Sequence, residues 1–229
     1  MCTAYILVRS VSRCTVFCMP YPSKTDRQTI LSAAVQYLAH GGIRDLSLRN
    51  LAASLGLAPT AIYRYFSDRS ALEAALANEA ARQLELALRE AAGGRKPVTA
   101  IREMSSAYIK FARDNRHLYE VMMSFHASEH EATFRQSLWT FTVEQVQRIA
   151  GADRAAQASV ALWAFLHGAV ALEAAEVLGE SKPASGLAFG LDAWFMAVTM
   201  RGAPIEALQT KPRAPRISGQ EPSARRPRA

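Results

Sequence analysis

The segment 59–66, with the sequence PTAIYRYF, combines side chains that pack with side chains that donate hydrogen bonds. Ile62 and Phe66 lie four residues apart, so on a helix they share one face and fit a hydrophobic core. Tyr63 and Tyr65 point elsewhere, and their phenol hydroxyls are donors suited to phosphate oxygens. Taken alone, the segment is typical of an ordinary amphipathic helix with exposed tyrosines. The residues around it decide whether the tyrosines face a nucleic acid.

A second short helix is predicted directly before this segment. Ser47 can cap it, and Gly56 then allows a tight turn that a β-carbon would hinder. Pro59 suits the first turn of the next helix, where its missing N–H costs nothing. The apolar positions that line one side of the earlier helix are Leu48, Leu51, Ala52 and Leu55. Two short helices joined by a tight turn predict a helix-turn-helix, whose second helix enters the major groove of DNA.

The predicted DNA contacts come from both helices of this motif and from the start of the helix that follows. Small residues at the beginning of the second helix let the backbone approach base edges, and Arg49 on the first helix can reach a phosphate or a guanine. Arg69 adds a second contact with the DNA backbone. The predicted set is Ser47, Arg49, Pro59, Thr60, Ala61, Tyr63, Arg64, Tyr65 and Arg69.

The formal net charge of +7 is unevenly spread over the 229 residues. Residues 24–69 carry six Lys/Arg against three Asp, a net of +3, whereas residues 70–209 carry 13 basic and 16 acidic side chains, a net of −3. The tail from Thr210 adds a net of +5, and the first 23 residues add +2. A basic head therefore precedes an acidic body, and a basic head suits a polyanion. The acidic body hints at a cationic ligand.

Almost every segment has helical spacing, so the predicted fold class is all-α. Gly41 and Gly42 are predicted to end the first helix, and the sequence SEHE at 128–131 predicts a capping box. The predicted domains are a disordered extension at 1–23, with Met19 as an alternative start; a three-helix DNA-binding domain at 24–69; a six-helix regulatory and dimerisation domain at 70–202; and a disordered basic tail at 203–229.

The sequence lacks the motifs of catalysis and cofactor binding. It contains no P-loop, nucleophile elbow, dinucleotide fingerprint or paired metal motif, so we expect neither an enzyme nor a cofactor. His126 and His130 have a spacing that would hold a metal on a helix, but solvated polar residues are the better account, and no metal is expected. The three cysteines lie within the first eighteen residues, which fits a reducing cytoplasm. Charged residues interrupt the apolar segment 160–178, so no membrane partner is expected.

The stretch SLRNLAASLGLAPTAIYRYFSDRSAL at 47–72 resembles the helix-turn-helix of TetR-type bacterial transcriptional regulators. The elements that carry the resemblance are Ala52, Gly56, Ile62, Tyr63, Phe66, Arg69 and Leu72. Arg69 stands where lysine is usual, which keeps the charge but changes its geometry. The resemblance implies a homodimer, a roughly palindromic operator of double-stranded DNA, and a C-terminal helical domain that dimerises and binds a small effector.

Two segments of the body also resemble this family. ALWAFLHGAVALE at 161–173 is similar to the WHG type of C-terminal domain, with Trp163, His167 and Gly168 as its named residues. FARDNRHLYEVMM at 111–123 is similar to the helix pair that precedes it. Trp163 and His167 are therefore candidates for effector contact, although two such residues four apart are more often packed in a core or a dimer interface.

The primary hypothesis from the sequence is a cytoplasmic, ligand-responsive transcriptional repressor. Two alternatives stay open, namely an architectural DNA-binding protein without an effector and an enzyme tethered to DNA. The basic tail could add non-specific affinity for phosphates.

Overall fold

The computed structural model describes residues 25–124, 133–177 and 183–200, except for the side chains at 133–134 and 183–185. Within these ranges the regular structure is entirely helical, which confirms the all-α class with three helices followed by six. The helices are α1 (Arg27–Asp45), α2 (Leu48–Ser54), α3 (Pro59–Ile62), α4 (Arg69–Ala92), α5 (Pro97–Asp114), α6 (Arg116–Ser124), α7 (Thr133–Ala150), α8 (Ala152–Ala174) and α9 (Pro183–Thr199).

Several predictions fall outside the described residues. They are the N-terminal extension at 1–23, the capping box at 128–131 with the two histidines beside it, and the basic tail at 203–229. The limits of the two domains, 24–69 and 70–202, likewise remain predictions.

The helices α1, α2 and α3 form the N-terminal head of the protein, which has a small apolar core of its own. The N–H of Thr29 donates to the Asp26 carboxylate over 2.7 Å, which caps α1. The apolar faces of the three helices converge on a set of fully buried side chains, namely Ile30, Leu38, Leu46, Leu51, Ile62 and Phe66. Phe66 also lies under the Arg27 guanidinium, 4.8 Å from ring centroid to Cζ. The head thus has its own apolar centre despite its size.

The helical backbone of α1 breaks at Gly42. Gly42 has φ 72° and ψ 179°, a conformation that glycine adopts without the steric cost of a β-carbon, and one further helical turn follows to Asp45. The predicted end at Gly41 and Gly42 therefore coincides with this break, the bend of α1. A β-carbon on Gly42 would lie 3.3 Å from Nδ1 of His117, so the bend packs closely against the first turn of α6.

The body is organised around α4, which packs against α5, α6 and α7. Its buried side alternates leucine and alanine, including Leu72, Leu76, Leu84 and Leu88. The short helix α6 contacts both α1 and α4, so it lies between the head and the body. The body and the DNA-binding motif are joined through that contact as well as through α4 itself.

The last two helices pack on each other but leave much apolar surface exposed. A β-carbon on Gly190 would lie 2.2 Å from Cζ of Phe165, so α8 and α9 cross closely at this glycine. The large apolar side chains of the pair that stay exposed are Val160, Trp163, Leu172, Phe189 and Met196. α8 alone among the described helices is long and apolar enough to span a bilayer, although buried core helices also meet that criterion.

Candidate nucleic-acid interface and ligand cavity

The motif predicted at 47–66 is present as two helices and a turn. Ser47 caps α2, its hydroxyl accepting the N–H of Asn50 over 3.0 Å. Gly56 forms the turn with φ 65°, and the N–H of Leu57 donates back to the carbonyl of Ala52 over 2.9 Å. Pro59 opens α3 at its first position. The chain therefore reverses at Gly56, as the sequence predicts.

The second helix of the motif is shorter than predicted. α3 ends at Ile62, and the predicted helical segment 59–66 continues as a turn. The N–H groups of Tyr65 and Phe66 both donate to the carbonyl of Ile62, over 2.9 and 3.0 Å. A 3₁₀-type bond thus tightens the last turn, as is common at helix ends. Ile62 and Phe66 are nevertheless both buried, as their four-residue spacing predicts.

Most of the predicted DNA-contacting side chains lie on the exposed surface of this motif. Tyr63 is 53% exposed, and Arg64 beside it is exposed. Neither Arg49 nor Arg64 forms an ion pair within the part of the chain that the structure describes. The others on this surface are Pro59 and Thr60, which are exposed, and Ser47 and Ala61, which are half-buried.

Two of the predicted contacts are engaged in hydrogen bonds within the protein, although the Arg69 side chain stays about half exposed. The hydroxyl of Tyr65 donates to the carbonyl of Thr25 over 2.8 Å, and its half-buried ring packs against the core of the head. Arg69 donates from Nε to Glu73 over 2.7 Å and from Nη2 to the carbonyl of Ile43 over 2.6 Å. In this conformation Tyr65 has no hydrogen left for a phosphate, and Arg69 joins α4 to the bend of α1. Sequence spacing could not show the bonds to Thr25 and Ile43, because these residues lie forty and twenty-six positions away along the chain.

Two of the three carboxylates of the head accept backbone N–H groups at the starts of helices. The backbone N–H of Thr29 holds the pKa of Asp26 below its ordinary value. Asp68 caps α4 in the same way, accepting the N–H of Ala71 over 2.8 Å. Two of the three acidic residues of the head therefore serve as helix caps, while Arg49 and Arg64 are directed to solvent.

The body contains a cavity of about 200 Å³ between α4, α5, α6, α7 and α8. Its described lining is mainly leucine, methionine and tryptophan, with one charged side chain, Arg135. The lining residues are Leu84, Leu88, Met104, Ser105, Tyr108, Met122, Met123, Arg135, Leu138, Trp139, Thr142, Leu162, Trp163 and Leu166.

A chain of hydrogen bonds leads from the wall of this cavity to α6 and α8. Nε1 of Trp163 donates to the hydroxyl of Tyr108 over 3.1 Å, and Tyr108 bonds to the hydroxyl of Tyr119 over 2.7 Å. The Tyr119 hydroxyl lies 2.6 Å from Nδ1 of His167. Burial raises the pKa of Tyr108 far above its ordinary value and also raises that of Tyr119, so both phenols stay protonated.

The structure separates the two residues named as effector candidates. Trp163 lines the cavity, whereas His167 is absent from the described lining and reaches the cavity wall only through the two tyrosines. Sequence reasoning assigned no role to Tyr108 or to Arg135. The sequence signal that could have identified Tyr108 is its place on the apolar face of a helix, because a tyrosine hydroxyl in a core needs a polar partner.

No group of three or more His, Cys, Asp or Glu that could hold a metal is found in residues 25–124, 133–177 and 183–200. The two histidines considered for a metal, His126 and His130, lie outside those ranges.

Two family models match the chain. The model described as bacterial regulatory proteins, tetR family, matches residues 30–76, which contain α2, the turn and α3. The model described as tetracyclin repressor-like, C-terminal domain, matches residues 101–190, which contain α6, α7 and α8. The first match includes the whole stretch 47–72 on which the resemblance was based.

Solved structures of similar fold come from several bacteria. A protein of unknown function from Rhodococcus sp. RHA1 is 24% identical, with a TM-score of 0.69 over 80% of this chain and 100% of that one. The transcriptional regulator SCO7222, a TetR from Streptomyces coelicolor, is 18% identical, with a TM-score of 0.64 over 76% and 98%. A TetR variant from Acinetobacter baumannii AYE in complex with minocycline is 20% identical, with a TM-score of 0.56 over 76% and 96%. These likenesses concern the fold.

Proposed function

The chain belongs to the TetR family of bacterial regulatory proteins, and from this premise we propose that it is a homodimeric repressor released from a palindromic operator by a small molecule. The observation that carries the DNA-binding part is the two-sided character of the α2–turn–α3 motif. Ile62 and Phe66 are buried, while Arg49, Tyr63 and Arg64 face solvent beside the start of α3. That surface combines donors for phosphates with a small-residue helix start that can approach base edges. The WHG subtype of the body stays a prediction.

The apolar surface of α8 and α9 supports the homodimer. Phe189 is 77% and Met196 58% exposed on α9, and Val160 is 52% exposed on α8. Several large apolar side chains exposed on one pair of packed helices are typical of an interaction site. Pairing α8 and α9 with the same helices of a second copy would form a four-helix interface and set two heads side by side. A two-fold protein matches a two-fold operator.

The position of α6 supports a response to a ligand. Met122 and Met123 of α6 line the cavity, and His117 in its first turn packs against the bend at Gly42. The adjacent residue Ile43 accepts a hydrogen bond from Arg69 at the start of α4. A shift of α6 caused by a ligand would therefore reach both α1 and α4. A coupling free energy of about 1–3 kcal/mol between the two sites would change operator occupancy appreciably.

The operator-binding part is tested with full-length protein and DNA fragments selected from a random pool. We expect a protected, roughly palindromic site, and a double variant Arg49→Gln/Arg64→Gln that binds it more weakly. Losing two phosphate contacts per protomer, four per dimer, should reduce the slope of log affinity against log salt by about 3.6. The matched control, Lys96→Gln/Lys110→Gln, removes the same charge from the body. Equal losses in the two double variants would contradict an interface at α2 and α3.

The repressor part is tested by transcription in vitro from a promoter that carries the selected site. Addition of the protein is expected to lower the amount of transcript, because a dimer on the operator blocks the polymerase. A rise in transcript on addition of protein would make the chain an activator.

A further inference from the structure

We propose that the body cavity takes a small apolar molecule that carries a carbonyl oxygen, and that the indole N–H of Trp139 donates a hydrogen bond to this oxygen. This inference rests on the proposed function, since it names the chemical class of the effector for the same cavity. Three observations carry it, namely the position of Trp139 in the cavity wall, the absence of a partner for its N–H, and the volume of the cavity.

Trp139 lies on the face of α7 that forms one wall of the cavity. The α7 residues in the described lining are Arg135, Leu138, Trp139 and Thr142. Positions that follow the first by three, four and seven residues share one helix face, and Trp139 lies in the middle of this set. Its side chain is half-buried, as expected for a ring at the wall of a cavity. The indole therefore borders the space that a ligand would occupy.

The other polar side chains of the described lining already have partners. The hydroxyls of Ser105 and Thr142 donate to backbone carbonyls one helical turn earlier, each over 2.8 Å. Nε1 of Trp163 donates to the hydroxyl of Tyr108 over 3.1 Å. Arg135 is also engaged in an interaction of its own. The protons of these hydroxyls and of the Trp163 indole are therefore committed before a ligand enters.

The indole N–H of Trp139 differs from these groups. The indoles of Trp163 and Trp194 donate hydrogen bonds within the protein, whereas that of Trp139 has no acceptor in the part of the chain that the structure describes. Protein atoms do not seal it off, because the fully enclosed side-chain polar atom without a partner in that part is Oγ of Ser159. The Trp139 N–H is therefore a donor that a bound molecule can reach.

An unpaired N–H favours a ligand that accepts a hydrogen bond. A ligand without an acceptor would displace water from this N–H and leave the donor unsatisfied, which costs free energy. An unused lone pair on an oxygen is tolerated better than an unused N–H, so the hydroxyl oxygens of the wall need no donor from the ligand. A carbonyl oxygen, which accepts and does not donate, meets both conditions.

The lining and the volume limit the rest of the ligand. Leucine, methionine and tryptophan form most of the described lining, so the remainder of the molecule should be apolar. At about 200 Å³ the cavity is somewhat larger than an apolar cavity of about 150 Å³ that binds benzene. It is smaller than the pockets of about 300–1,000 Å³ that hold drug-sized molecules. One ring with a carbonyl substituent of a few atoms fits between these limits.

The hydrogen bond is tested with two probes of the same shape. Acetophenone and α-methylstyrene have the same number of heavy atoms and differ by a carbonyl oxygen against a methylene group. Each is titrated into the full-length protein, whose three tryptophans carry ¹⁵N, and binding is followed by the NMR signals of the indole N–H groups. Because the two probes differ in hydration, the ratio of their affinities is compared between variants of the protein.

The donor is identified with a pair of identical substitutions in the same cavity wall. Trp139→Phe removes an N–H without a partner, whereas Trp163→Phe removes one that is already bonded to Tyr108. We expect Trp139→Phe to lower the ratio of acetophenone affinity to α-methylstyrene affinity by about fivefold or more, the effect of one lost hydrogen bond. The ratio should stay unchanged in Trp163→Phe, even if both affinities change. An unchanged ratio in Trp139→Phe, or an equal fall in both variants, would overturn the inference.

A measurement on the unaltered protein does not depend on the folding of these variants. A carbonyl group that accepts a hydrogen bond absorbs infrared light at a lower wavenumber than the same group in hexane. We expect this lower wavenumber for acetophenone bound to the full-length protein. A carbonyl band at the position observed in hexane would overturn the inference.

Operator release is measured separately from binding. Acetophenone that binds through Trp139 and releases the operator supports both the ligand class and the proposed response. Binding through Trp139 without release keeps the ligand class and overturns the ligand-responsive part of the proposed function. Binding of neither probe to a protein that still binds its operator overturns this inference and leaves the operator-binding function intact.

Discussion

At the scale of single residues, two tyrosines of the same segment have opposite roles. Tyr63 is 53% exposed, and Arg64 beside it is exposed as well. Tyr65 is half-buried, and its hydroxyl closes a hydrogen bond to Thr25, forty residues away in the chain. One phenol is therefore available to DNA, and the other fastens the start of α1 to the motif.

Removing each hydroxyl should separate binding from stability. Tyr63→Phe is expected to weaken operator binding at all sequences alike without changing the melting temperature, because a phosphate contact carries no sequence information. Tyr65→Phe is expected to lower the free energy of unfolding by about 0.5–1.5 kcal/mol, the net value of one hydrogen bond. Gel-shift titrations and thermal unfolding of both variants measure the two effects. A sequence-dependent loss in Tyr63→Phe would count against the phosphate contact.

A second residue-scale prediction concerns acid stability. The hydrogen bonds from Arg82 hold the pKa of the buried Glu79 carboxyl below its ordinary value, and Gln83 adds a further bond. A lowered pKa stabilises the fold above the unfolded value of about 4.3, and that stabilisation is lost as the pH falls through the folded value. Glu79→Gln should therefore cost about 1 kcal/mol at pH 7, since Arg82 is partly exposed, and much less at pH 3. Denaturant unfolding at both pH values measures the difference, and a constant cost would contradict the assignment.

At the scale of elements, the contact between α8 and α9 depends on one glycine. Phe165 fills the space beside Gly190, where a β-carbon would lie 2.2 Å from its ring. A β-carbon added to Gly186, one turn earlier on α9, would lie in open space. The two glycines of the same helix therefore differ in what a methyl group would meet, although the sequence shows no difference between them.

Alanine at the two positions should have effects of opposite sign. Gly190→Ala is expected to destabilise the protein by about 1–3 kcal/mol through overpacking, and Phe165→Leu in the same chain should recover part of the loss. Gly186→Ala is expected to stabilise the protein by about 0.5–1 kcal/mol, because alanine is the better helix former. Chemical denaturation of the three variants measures these changes. Equal destabilisation by both alanines would show that the crossing at Gly190 is not close.

At the scale of the whole molecule, the apolar surface of α8 and α9 explains two observations together. The first is that α8 is long and apolar enough to have the length and composition of a membrane span. The second is that Phe189 and Met196 are exposed on α9. A second copy of the chain that covers this surface accounts for both, and it fits the homodimer typical of the family.

A charge placed on this surface should separate the proposed dimer. Phe189→Asp is expected to shift the protein from about twice 25.0 kDa to the monomer mass at micromolar concentration, because an interface core excludes unpaired charge. Leu86→Asp, on an exposed leucine of α4, should leave the mass unchanged. Analytical ultracentrifugation measures both variants. A dimer that survives Phe189→Asp with unaltered affinity would place the interface elsewhere.

The sequence by itself determined the helical class and the DNA-binding motif. Both depend on local rules, since the 3.6-residue apolar spacing, the Ser47 cap, the positive φ at Gly56 and the first-turn Pro59 act within a few residues of each other. It also placed Ile62 and Phe66 in the core, because residues four apart share a helix face.

Only the tertiary structure decided the roles of Tyr65, Arg69 and the body cavity. The partners of Tyr65 and Arg69, Thr25 and Ile43, lie forty and twenty-six residues away, and a periodic pattern contains no information on such contacts. The cavity is likewise formed by five helices whose relative positions depend on packing.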